Sequence, residues 1–254
     1  MTNFTLTRRQ TLAGLTASTA LTLGGCAANG DLPRLRPIGT DPDEWLDSVS
    51  YRLLEHEPER ATGLGVDTGE FAYLRGKLED QSISGQREYA ATLRWVVNQM
   101  TGLDESGLTN DQATSFEVVR SAFSTAAEGF DLPYGDVAVG SWRNAPYMVI
   151  QNVGTYLDMP RFLDSSQPLA DEADTEYYLD RLASVDTALD GELERLEKAR
   201  SLGVIPPDFL LDKAIAAMEA SIDSAPSDYV NPLEKAPEAI RASAMTTARR
   251  VTEQ

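Results

Sequence analysis

Four residues near one another in the chain have the types to line a ligand cleft: Trp142, Tyr147, Gln151 and Tyr156. Aromatic walls around one amide suit a peptide-like ligand or a sugar. The competing account is core packing, with the rings buried and their polar tips paired. The stretch they belong to runs from Trp142 to Pro168, and Pro146, Gly154, Pro160 and Pro168 interrupt it. Proline removes a backbone donor and breaks helices. The stretch therefore reads as an irregular crossover, with Tyr147 to Tyr156 buried between helices at Asn110 to Phe130 and Asp174 to Arg200. Gln151 then either ties down the irregular backbone or points into a cleft.

Other chemistry lacks its parts. His56 is the only histidine. A catalytic zinc takes three protein ligands, usually histidines with an acid, so no metal site is expected. A Ser-His-Asp triad would have to use His56, and no GxSxG elbow occurs. Gly69 to Lys77 fails as a phosphate loop, because Leu78 follows the lysine. Gly63-Leu64-Gly65 follows a helix and not a strand, so the dinucleotide fingerprint fails too. His56 reads as a surface side chain near a helix C-terminus. No catalytic residue is nominated.

The chain has 254 residues, 42% of them hydrophobic, and a formal net charge of -18. A surface this acidic repels phosphate backbones, so nucleic acid is not expected as a partner. The single cysteine excludes an internal disulfide framework.

That cysteine stands in a targeting segment. Thr7-Arg8-Arg9-Gln10-Thr11-Leu12 resembles a twin-arginine export signal, and an apolar, small-residue run continues to Gly25. The run is too short and Thr-rich for a comfortable membrane span. Leu23-Gly24-Gly25-Cys26 resembles a lipobox, in which Cys26 carries the lipid; the alternative is signal-peptidase cleavage close by, with Cys26 discarded. Residues 1–26 are read as the signal, 27–40 as a linker and 41–254 as one helical domain. The expected location is the periplasm, free or lipid-anchored, with membrane contact only through the anchor.

The elements that would position any site are mostly α, an irregular multi-helix body with a short extended central segment. Asp41-Pro42-Asp43-Glu44 caps a first helix with Trp45, Val49 and Leu53 inward. A short helix should stop at Gly63 or Gly65. Helices are expected over Gly85 to Thr101 and, behind the capping box Thr109-Asn110-Asp111-Gln112, to Phe130. Asp174 to Arg200 reads as one long helix of about 40 Å. Leu182, Val185, Leu189, Leu193 and Leu196 lie on its inward face. Pro206-Pro207-Asp208 opens a helix with Ile215, Met218 and Ile222 inward, followed by a loop over 225–237 and a last polar helix.

Three segments in order carry a family resemblance. They are Pro58 to Asp67 (PERATGLGVD), Pro146 to Gln151 (PYMVIQ) running on to Tyr156, Pro160 and Phe162-Leu163-Asp164, and Gly203 to Lys213 (GVIPPDFLLDK). They resemble the bacterial family catalogued as domain of unknown function 885, over nearly all of Asp41 to Gln254. The resemblance implies an exported protein or lipoprotein. Members are typically longer, and their C-terminal half resembles zincin metallopeptidases with a His-Glu-x-x-Pro-Gly-His type motif. That motif is absent here, so the chain resembles the N-terminal half alone, and zinc is implied only for the other half. A separately encoded C-terminal half is the implied partner. The competing expectation is a self-sufficient periplasmic binding or scaffold lipoprotein. A half that docks should expose a broad apolar patch; a self-sufficient binder should not.

Overall fold

In the computed structural model the described residues are 41–139 and 145–252. Arg8, Arg9, Cys26 and the linker 27–40 lie outside the described residues, and so does Trp142.

The Asp41 carboxylate accepts the backbone N–H groups of Asp43 at 2.9 Å and Glu44 at 3.4 Å, which starts α1 (Pro42–His56). Pro58 opens α2 (Pro58–Leu64), and Gly65 closes it at φ 68°, a left-handed cap that favours glycine. A 3-10 helix (Gly69–Gly76) leads into α3 (Ile83–Met100). The capping box forms as the sequence implies. Thr109 Oγ1 accepts from the Gln112 N–H, and Gln112 Oε1 accepts from the Thr109 N–H. It opens α4 (Asn110–Phe130). Trp45, Val49, Leu93, Val96, Phe116 and Phe123 make the core between α1, α3 and α4.

Among the described residues the chain is mostly α, with extended pairing confined to the bridges Asp136–Ala145 and Ile150–Val153. Beyond them come α5 (Thr155–Ser165), α6 (Glu172–Ala183), α7 (Val185–Ser201), α8 (Asp208–Val230) and α9 (Glu238–Thr252). Met159, Leu163, Tyr178, Leu182, Leu233 and Ala248 fill a second core. Tyr178 ties α6 to the end of α8 by donating to the Tyr229 carbonyl at 2.8 Å.

The fully buried Arg181 joins the N-terminal segments to α6. Its guanidinium donates to Thr62 Oγ1 at 2.9 Å and to the carbonyls of Leu74 at 3.0 Å, Lys77 at 2.8 Å and Pro58 at 3.2 Å, and it also bonds Gln167. Burial pulls its pKa down to about 10. Beside it, Arg75 bridges buried Asp67 at 3.1 Å and Asp174 at 2.6 Å.

Several expectations are corrected. The long helix over Asp174 to Arg200 is two helices, broken at Ser184. Ser184 Oγ donates to the Asp180 carbonyl at 2.9 Å, and the Ser184 N–H turns to Arg181 instead. Such back-bonding bends helices. Pro160 does not end a segment but sits inside α5, and the expected loop after residue 225 is helix as far as Val230, with Pro226 inside it. Ser224 and Ser227 hydroxyls donate to nearby carbonyls around that proline. Between Tyr147 and Tyr156, expected to be buried throughout, only Met148, Val149, Gly154 and Thr155 are buried, while Tyr147, Gln151 and Tyr156 are half-buried.

The inward face assigned to α7 holds at Val185, which is buried, and fails further along the helix. Leu189 and Leu193 are exposed, 53% for Leu193, whereas Ala188, Gly191, Glu192, Arg195 and Ala199 are buried. Small residues decide this. A β-carbon on Gly191 would stand 2.6 Å from the Ser82 nitrogen, so α7 presses its glycine face directly onto backbone. On α8, Ile215 and Ile222 are likewise exposed, 73% for Ile222.

Candidate functional site

The chemistry-bearing side chains that the fold gathers are carboxylates. Glu57 and Glu59 come from the α1–α2 junction, Glu79 from the run before α3, Asp136 from the bridged turn, Asp158 from α5 and Glu192 from α7. They line a pocket of about 490 Å³ with Tyr89 and Arg60 among its other walls.

Each acid is held by a local cause. The Glu79 N–H donates to both Glu59 carboxylate oxygens at 3.2 Å. The Tyr89 hydroxyl donates to Glu57, whose other oxygen accepts from Arg60 at 2.8 Å. Glu192 accepts the Thr155 N–H at 2.8 Å and so caps α5, while Asp158 accepts the Gly154 N–H at 3.3 Å. Arg195 holds Asp136 at 2.8 Å.

Electrostatics follow from burial and crowding. Burial, then the neighbouring charges of Glu59, Asp136 and Glu57, push Glu79 well above the ordinary carboxylate range; Arg195 opposes this. Burial also raises Glu59 and Glu192, and the backbone N–H groups they accept pull the other way. A raised carboxyl keeps its proton nearer neutrality and can donate a hydrogen bond or a proton. The pocket's chemistry is thus hydrogen bonding, proton exchange and attraction of cationic groups. Among the described residues, no three His, Cys, Asp or Glu side chains converge to hold a metal ion.

His56 is not the surface side chain expected. It is half-buried, stacks on Tyr89 with centroids 4.7 Å apart and pairs through Nε2 with Thr92 Oγ1 at 2.9 Å. Burial, then the Arg52 charge, lowers its pKa to about 4.

Tyr147, Gln151 and Tyr156 stand outside this pocket's walls. The Tyr156 hydroxyl donates to the Ile150 carbonyl at 2.9 Å, and Gln151 Oε1 is buried with no partner. Tyr156 instead borders a smaller hollow between α5 and α8 with Pro160 and Asp228. Sequence reasoning missed the acids because forty of them offer no spacing to select a set. The usable signal was Glu192 and Arg195 sharing a helix face with Ala188, Gly191 and Ala199.

A family model described as "Bacterial protein of unknown function (DUF885)" matches residues 58–254. No curated protein matches the sequence. A solved structure described as "the putative lipoprotein from Colwellia psychrerythraea" is similar with a TM-score of 0.73 at 18% identity, a likeness of fold alone. The match covers 84% of this chain and 39% of that chain, so this chain spans about two fifths of that protein's length.

Proposed function

The chain belongs to the bacterial DUF885 family, and on that premise we propose that it is an exported, lipid-anchored protein forming the non-catalytic helical half of a larger, metallopeptidase-like unit. The observation that carries the docking role is the exposed leucine pair of α7. Leu189 and Leu193, four residues apart, share one face of the helix, and Ile215 and Ile222, seven apart, share one face of α8. Large apolar side chains repeated on a helix face gain about 25 cal/mol for each Å² they bury. The occupant is the part of a longer relative that this chain does not match.

The described residues do not fit zinc. His56 is committed to Thr92 and Tyr89, and no group of ligands converges. Zinc chemistry, on this reading, belongs to the remaining part of the unit. This chain contributes helical walls and the acidic pocket, which attracts a ligand's cationic end.

Anchoring rests on Arg8, Arg9 and Cys26. No described helix is long and apolar enough to cross a membrane. Arg8→Lys with Arg9→Lys should hold the protein in the cytoplasm, and Cys26→Ala should release it from membranes. Normal fractionation of both variants contradicts the reading.

The acidic pocket favours a second reading, a self-sufficient periplasmic binding or scaffold lipoprotein. Co-expression with the remaining part of a longer family member separates the two. A one-to-one complex, lost in the double variant Leu189→Glu with Leu193→Glu, supports the docking role. Separate elution of the wild-type chains contradicts it.

A further inference from the structure

A second cavity, of about 350 Å³, lies between the start of α3, the end of α4, the turn that follows it and the last turns of α7. Its charge runs against that of the chain. In a sequence with 40 acidic and 22 basic residues, four basic side chains and one acidic side chain line it. They are Arg87, Arg94, Arg195, Lys198 and Asp131.

Two of the cations are already held. Arg94 donates to Asp131 and, at 3.2 Å, to the Ala127 carbonyl. Arg195 donates to Asp136 at 2.8 Å, to the Gly135 carbonyl at 3.1 Å and to Gln81 Oε1 at 3.0 Å. Arg87 on α3 and Lys198 on α7 are exposed, and neither makes an ion pair or side-chain hydrogen bond among the described residues. Two unclaimed cations on different helices thus border one cavity.

Apart from Gln86 and the Tyr134 hydroxyl, the other lining side chains are apolar. Phe130, Val137 and Met148 line the interior, and Leu132 and Tyr134 are exposed at the rim. Apolar walls with a few convergent polar groups are the usual make-up of a small-molecule site, and the volume lies at the low end of the usual range. Arg suits a carboxylate because its planar fork can donate twice, and Lys adds a point charge.

We propose that this cavity binds a small organic carboxylate, with its anionic head between Arg87 and Lys198 and its apolar body against Phe130 and Met148. The assignment does not depend on the docking role of α7, since Leu189 and Leu193 take no part in the cavity. It adjoins the acidic pocket, with Val137 and Met148 in both linings, but its unclaimed cations favour the opposite charge.

The test is calorimetric titration of the purified protein with 4-phenylbutyrate, its neutral amide and inorganic phosphate. The expected result is saturable binding of the carboxylate, weakened by added salt, and at least tenfold weaker binding of the amide and of phosphate. Arg87→Gln and Lys198→Gln should each weaken carboxylate binding about tenfold without changing the thermal midpoint, because both side chains are exposed. Leu132→Ser should weaken it as well, through the apolar rim. No saturable carboxylate binding, equal binding of the amide, or wild-type affinity in the Arg87→Gln and Lys198→Gln double variant overturns the proposal. Phosphate binding as tight as the carboxylate also overturns it, because the apolar walls would then be idle.

Discussion

Glu192 on α7 accepts the backbone N–H of Thr155, the first residue of α5, at 2.8 Å. A buried acid of one helix thereby caps the positive end of another. This contact holds α7 with its charged, small-residue face inward and leaves Leu189 and Leu193 outside.

Glu192→Ala should lower stability by about 1–3 kcal/mol, because it leaves a buried N–H unpaired. Glu192→Gln keeps an acceptor and should lose less. Urea midpoints of the three proteins measure this. Equal midpoints would show that the cap does not hold α5.

His56 should make stability fall as pH is lowered. Its folded pKa, about 4, lies below the unfolded value near 6.5. The unfolded chain therefore takes up the proton first, and stability is lost progressively between about pH 6.5 and 4. Glu59, Glu79 and Glu192 have raised values and act in the opposite sense, gaining stability as pH falls. The comparison must therefore be made against His56→Gln. The variant should gain on the wild type between pH 7 and pH 5 in urea unfolding. A pH-independent gap would contradict the buried neutral imidazole.

Gln151→Ala should cost less than about 1 kcal/mol, since its buried Oε1 has no partner to lose. Leaving a buried polar atom unpaired is itself unfavourable, so Gln151→Met should be neutral or stabilising. The backbone here is satisfied without the amide, by the mutual Ile150–Val153 hydrogen bonds and the Tyr156 hydroxyl. A loss of about 2–3 kcal/mol on Gln151→Ala would restore the amide as a structural tie.

Some helix starts were legible because a local rule decides them. Asp41 and Thr109 each cap through a neighbour two or three residues away, and such signals survive any tertiary arrangement. The orientation of α7 was not legible, because the leucine spacing and the small-residue spacing point to different faces. The backbone contact at Gly191 settles the choice, and its partner at Ser82 lies far away in sequence. The break at Ser184 was hidden for a related reason: Leu182 and Val185 are both buried, so the apolar rhythm continues across it. The six acids of the pocket come from five separate parts of the chain, which no short motif could join.

On the proposed docking role, the exposed apolar faces of α7 and α8 are covered when the chain meets the remaining part of the unit. Hydroxyl-radical footprinting measures this side chain by side chain, on the purified protein alone and co-purified with the remaining part of a longer family member. Strong protection of Leu189, Leu193, Ile215 and Ile222 is expected in the complex, with exposed Leu64 and Val118 reacting equally in both samples. Unchanged reactivity of all four residues on α7 and α8 would contradict it.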